Sequence, residues 1–103
     1  MRPLPGNFLP HVRATRALLK FCEEHQNPDP AVSDVRECLV ALEAGEKSKA
    51  IAAFQRVRMG KEGFGEWWPK PISPAETDEY AWAVFEALVE RWHRLMTQLP
   101  EWR

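Results

Sequence analysis

Apolar residues recur along this chain at intervals of three and four in four stretches, each closed by a break rich in proline or glycine. That period lines up one side of an α-helix and predicts an all-α fold, a compact four-helix domain. The first helix is expected over about His11 to His25. Ala14, Leu18, Phe21, Cys22 and His25 share its apolar side, Val12 and Leu19 lie at the margin, and Arg13, Arg16 and Lys20 line the other face. The Asn-Pro-Asp-Pro segment at 27–30 breaks the chain and offers Asp29 as N-cap, with Pro30 at the first helical position. A second helix follows over about Pro30 to Ala44, burying Val32, Val35, Cys38, Leu39 and Leu42, with Gly45 suited to cap its C-terminus. The third, about Lys47 to Met59, shows Ala50, Ile51, Phe54 and Val57 on one face. So short a connection between the two predicts a helical hairpin over about residues 30–59.

The fourth helix is the longest. Ser73, Pro74 and Glu76 read as cap, first-turn proline and reciprocal glutamate of a capping box, and Pro100 as the stop after Leu99. A helix over 74–99 would run roughly 37 Å. Ala81, Val84, Phe85, Leu88, Trp92, Leu95 and Leu99 form its core stripe, and Trp82, Val89 and Met96 add a second row. Together they span roughly 160°, wider than the ~100° that one packing layer demands. The second row therefore needs a cover, and four are available: the N-terminal arm, the preceding loop, a second copy of the chain, or a different partner.

Two segments lie outside the helical period. Residues 1–10 carry Pro3, Pro5 and Pro10 among Leu4, Phe8 and Leu9, which favours an extended arm ahead of a single helical domain at 11–103. The loop at 60–73 holds Gly60, Gly63 and Gly65, the pair Trp67-Trp68, and Pro69 and Pro71. Gly60 is placed to end helix three, and the glycines would turn the chain so that Phe64, Trp67 and Trp68 reach the core. One tryptophan of the pair is expected to pack inward and the other outward. An exposed tryptophan between Glu66 and Lys70 suits a protein anchor, or stacking on a sugar or base.

Composition narrows the function classes. At 103 residues the chain is one domain, and 45% hydrophobic with 28% charged residues is ordinary for a globular protein. Five tryptophans are the outlier. Each fully buried ring is worth up to roughly 4–6 kcal/mol, so they belong to core or contact surface. The net charge of −1 lacks the basic footprint of a nucleic-acid binder. Six Lys/Arg against three Glu at 46–70, then three Arg against six Asp/Glu at 71–103, suggest that these segments face each other. No long apolar run predicts a membrane span or leader, so a cytoplasmic protein with Cys22 and Cys38 reduced in the core is expected.

The candidate chemistry is sparse. Glu90 and His93 match the Glu-x-x-His spacing of di-iron bundles, but no second pair accompanies them, so neither metal nor cofactor is assigned. The glycine run fits neither the Walker nor the Rossmann pattern. Glu66 with His93 or Glu79 is the one acid/base pairing the order of elements permits, and nothing in the spacing requires it. No catalytic residue is named. His25, on the apolar side in the last turn of helix one, reads as a helix-ending histidine at the core edge.

At the loop the chain resembles a group of small, all-helical bacterial proteins. In these a helical hairpin ends in Gly-Met-Gly-Ser-Phe-Asn-Asp, followed by apolar residues and a closing helix. Met59, Gly60, Phe64, Glu66 and Trp67 stand in those places, over about residues 35–99. Arg58 replaces the leading glycine, extra residues separate Gly60 from Phe64, and Gly65-Glu66 stands for Asn-Asp. The resemblance implies an immunity-like or accessory role with a protein partner and no catalysis.

The expected function is a non-enzymatic interaction module of immunity, adaptor or accessory type. Its surface combines Phe64, Glu66, Trp67 and Trp68 of the loop with Trp82, Glu86, Val89, His93 and Met96 of helix four, facing a protein partner or a second copy. The alternative is a small-molecule-binding protein or small enzyme with a pocket under the loop, using Glu66, Trp67, Trp68 and His93.

Overall fold

The computed structural model describes residues 8–57 and 67–99, which form four helices: α1 (Leu9–Glu24), α2 (Ala31–Glu43), α3 (Lys47–Arg56) and α4 (Asp78–Gln98). The all-α expectation holds, and the described residues contain no strand. The molecule measures 47 × 26 × 19 Å with a radius of gyration of 13.9 Å.

Each boundary reflects local chemistry. α1 begins at Leu9, so Leu9 and Pro10 belong to the helix rather than to the arm; Pro10 sits in the first turn, where its missing N–H costs nothing. Residues 1–7 of the expected arm lie outside the described residues. α1 ends in a Schellman motif, with Asn27 N–H donating to the Cys22 carbonyl (2.8 Å) and Gln26 N–H to Glu23 (3.2 Å), and with Gln26 at φ 56°. α2 begins one position later than expected, with Pro30 as its N-cap, and the Asp29 carboxylate still serves the turn by accepting from Ala31 N–H at 2.8 Å. It ends in the same motif, here with Gly45 at φ 76°. α3 stops at Arg56, because Val57 turns extended (ψ 122°); the expected end at Met59 and Gly60 lies outside the described residues.

α4 starts later than expected. Thr77, not Ser73, is its N-cap, its hydroxyl accepting from Tyr80 N–H at 3.0 Å. Ser73 to Glu76 form a separate turn closed by Glu76 N–H to the Ser73 carbonyl at 3.1 Å, and the Glu76 side chain is spent elsewhere. The helix therefore has 21 residues and runs roughly 31 Å.

α1 and α4 lie antiparallel and in step. His11 Nε2 donates to the Leu95 carbonyl at 3.1 Å, and ten residues on, Phe21 stacks on Phe85, ten residues back, at 5.9 Å. On its other flank α4 meets α2 through Cys38 and Met96, sulfur to sulfur 3.9 Å, and α3 through Phe54 edge-on to Trp92 at 5.1 Å. A helix with neighbours on both flanks buries a wide arc. This corrects the reading of α4: Val89 and Met96 are core, Met96 with 0% of its surface exposed, while Val84, Leu88 and Leu95 are half-buried. Trp92, Phe85, Leu18, Leu42 and Leu99 complete the fully buried centre. Cys22 and Cys38 are free and buried, and burial pushes both thiols up to about 12.

Of the basic residues expected to face α4, Arg58 and Lys61 lie outside the described residues, and Arg56 pairs within the hairpin. Arg56 turns to Asp34 (2.9 Å) and Glu37 of α2, and these partners, the Asp34 hydrogen bond first, raise the guanidinium above its ordinary value.

Candidate functional site

The segment 67–71 has no regular secondary structure, and its composition favours an extended path. Proline disfavours helical geometry in the residue before it, so Pro69 and Pro71 favour extended geometry at Trp68 and Lys70. An extended chain sends successive side chains to opposite faces. Trp67 accordingly packs inward, Trp68 outward, Pro69 inward to complete burial and Lys70 outward. The inward and outward split expected of the tryptophan pair is what the structure shows.

Trp67 stands edge-on to two core rings, Phe85 at 4.9 Å and Phe21 at 6.3 Å. Trp68 lies nearly flat on Trp82, centroids 5.2 Å apart and planes 24° from parallel, yet stays 55% exposed. One face of the ring rests on a rigid helix and the other meets solvent. Ile72, 56% exposed, borders the same surface. Beneath these residues a cavity of about 520 Å³ is bounded by Trp67, Trp68, Ile72, Lys70, Glu24 and His25.

The electrostatic centre of this corner is His25 with Glu76. Nε2 of the buried ring lies 3.1 and 3.2 Å from the two carboxylate oxygens. Glu76 also accepts the Ile72 N–H at 2.9 Å. That backbone bond first, and the histidine second, hold the Glu76 carboxyl below its ordinary value. The His25 ring stacks on Phe21 at 3.8 Å, so one aromatic ring touches both the histidine and Trp67.

The sequence-derived surface is only partly assembled. Trp67, Trp68 and Trp82 come together, and Glu86 is exposed one turn beyond Trp82. Val89 and Met96 are withdrawn into the core, Met96 against Cys38 of α2, so they present nothing to a partner. His93 packs on Phe54 of α3 at 5.5 Å, three turns along α4 from the tryptophan stack. Phe64 and Glu66 lie outside the described residues, as does any pairing of Glu66 with His93 or Glu79. Lys70 borders the site as the flank of the exposed tryptophan, whereas Ile72 and the His25–Glu76 pair are not among the sequence-derived residues. His25 stood out as an apolar-face histidine, but Glu76 looked fully explained by a capping box, and no local signal joins residues 51 positions apart.

A second depression, about 620 Å³, lies over α2 and α3. Its cations are engaged within the chain: Arg36 with Glu23 (2.8 Å), Lys49 with Glu46 (3.6 Å) and Arg56 with Asp34 and Glu37. Among the described residues no three His, Cys, Asp or Glu side chains converge as a metal site requires, and no helix is long and apolar enough to cross a membrane. Compared with protein-family models, curated proteins and solved structures, the chain matches none of them.

Proposed function

We propose that the chain is a protein-interaction module whose contact surface is centred on Trp68, seated on Trp82 and bordered by Ile72. The carrying observation is a tryptophan more than half exposed yet stacked on a second ring carried by a helix. Such a ring presents a large apolar face without losing side-chain freedom when a partner covers it, the property of an interface anchor. Relative to the sequence expectation the surface is smaller, because α4 contributes Trp82 and Glu86 rather than Val89 and Met96. The resemblance in the loop points the same way, toward an immunity, adaptor or accessory role with a protein partner or a second copy.

The test separates fold from contact. Light scattering over a dilution series, and affinity capture from a lysate, compare wild type with Trp68→Ala. Trp68→Ala is expected to keep the wild-type melting temperature within a few degrees, since the ring is largely exposed, and to lose tenfold or more in association. A variant that assembles and captures partners as wild type does overturns the surface.

The cavity beside Trp67 supports a second reading, since its volume falls within the roughly 300–1,000 Å³ of small-molecule pockets. A metabolite that raises the melting temperature of wild type and not of Trp67→Ala would favour it.

A further inference from the structure

The contact surface sits beside a buried histidine–carboxylate pair that helix packing does not require. His25 Nδ1 lies 3.0 Å from the Phe21 carbonyl oxygen, which can only accept, so Nδ1 carries a hydrogen. Nε2 meets both oxygens of Glu76. In a neutral ring with its hydrogen on Nδ1, Nε2 would turn a lone pair on an anion. The contact is attractive only when a second proton lies between ring and carboxylate.

We propose that His25 and Glu76 form a proton-operated latch that fastens the segment 67–77 to the end of α1 and thereby holds Trp68 on Trp82. Closed, the pair is imidazolium against carboxylate. As pH rises, one proton leaves His25 for solvent, Nε2 becomes an acceptor facing an acceptor, and the contact opens. The consequence reaches the tryptophans along two routes. Glu76 also binds the Ile72 N–H, so the carboxylate holds the segment at two points. His25 and Trp67 share the Phe21 ring, so displacing the imidazole unstacks the ring against which Trp67 stands edge-on.

The surroundings add few competing charges. From α1, Glu24 borders the same cavity and pairs with Lys20 at 3.8 Å; from the segment itself, Lys70 borders it as well. On the approach to α2 the Asp29 carboxylate is engaged with Ala31 N–H, and α4 contributes the apolar Phe85 against Phe21. Among the described residues, Glu76 is the charged group that touches the ring. In strong acid the latch opens from the other side, when Glu76 takes up a proton and its charge is lost.

The latch concerns the fold and stands without a partner; only its effect on binding rests on the proposed contact surface. The test follows the ring protons of His25 and the indole N–H signals of Trp68 and Trp82 by NMR in the full chain, across and beyond the range of roughly pH 5 to 8 in which histidines change charge. The Trp68 signal is expected to move with the same midpoint as the His25 ring. His25→Gln should abolish that movement while leaving any response to His11 and His93 in place. Glu76→Gln is the converse: its carboxamide can donate to a neutral Nε2 and still accept from Ile72 N–H, so the segment stays closed at both ends of the range. A Trp68 signal that ignores the His25 titration overturns the latch, as does a Trp68 movement at the His25 midpoint that survives in Glu76→Gln, a variant that remains decisive should His25→Gln fail to fold. Either result leaves the Trp68→Ala binding test unaffected.

Discussion

Gln26 and Gly45 occupy the same position in two copies of one helix-ending motif, both with positive φ. Glycine reaches that region freely, whereas a residue with a Cβ meets its own carbonyl there at a cost of roughly 1–2 kcal/mol. Gln26→Gly is therefore expected to stabilise the protein by up to about 1 kcal/mol, after the added freedom of the unfolded chain is subtracted. Gly45→Ala should destabilise by about 1 kcal/mol for the same reason. Urea denaturation of both variants against wild type measures the pair, and shifts of equal sign would contradict the argument. The two positions also mark how far a single residue can be read. Gly45 signals a left-handed turn by its chemistry, while glutamine has no such preference and Gln26 is placed there by the two backbone bonds that close α1.

At the scale of the element, the start of α4 shows how two local solutions compete. Ser73-Pro74-Ala75-Glu76 and Thr77-Asp78-Glu79 each satisfy the rules for beginning a helix. The second prevails because the Glu76 carboxylate is committed to Ile72 and His25 and cannot serve a capping box at Ser73. Thr77→Ala should then cost about 1 kcal/mol, and Ser73→Ala less than about 0.5 kcal/mol, in equilibrium unfolding. The reverse order would restore Ser73 as the cap. The faces of α4 teach a related lesson. Its period put Ala81, Phe85, Trp92 and Leu99 on the buried side, but period alone cannot say which flank meets a neighbour. Met96 and Val89 were assigned to a surface because the arc seemed too wide, and the arc is wide because α1 lies on one flank and α2 and α3 on the other.

Across the whole molecule, what escaped the sequence is long-range. The four helices, the hairpin and the opposed tryptophans follow from short-range pattern, whereas the links of His25 to Glu76 and of His11 to Leu95 join residues 51 and 84 positions apart. The His11 link makes a prediction at this scale. Burial lowers the His11 pKa from its ordinary 6.5, although the bond to Leu95 opposes the shift. A histidine held neutral in the folded state contributes stability that is complete above the unfolded value and is lost as pH falls through the folded one. His11 should thus subtract urea stability between about pH 7.5 and 5.5, against what the protonated His25–Glu76 pair adds over the same range, so His11→Gln should gain stability relative to wild type as pH falls, whatever its absolute stability. A slope unchanged by the substitution would remove His11 from the account.

The antiparallel register of α1 and α4 has a consequence for how the protein can be built into larger assemblies. The His11–Leu95 bond brings both ends of the described structure, residues 8 and 99, to one pole, and the Phe21–Phe85 contact leads away from it to the tryptophan stack. A fluorescent label attached at Leu9 or Gln98, both exposed, would therefore sit at the pole opposite Trp68 and leave the tryptophan stack uncovered.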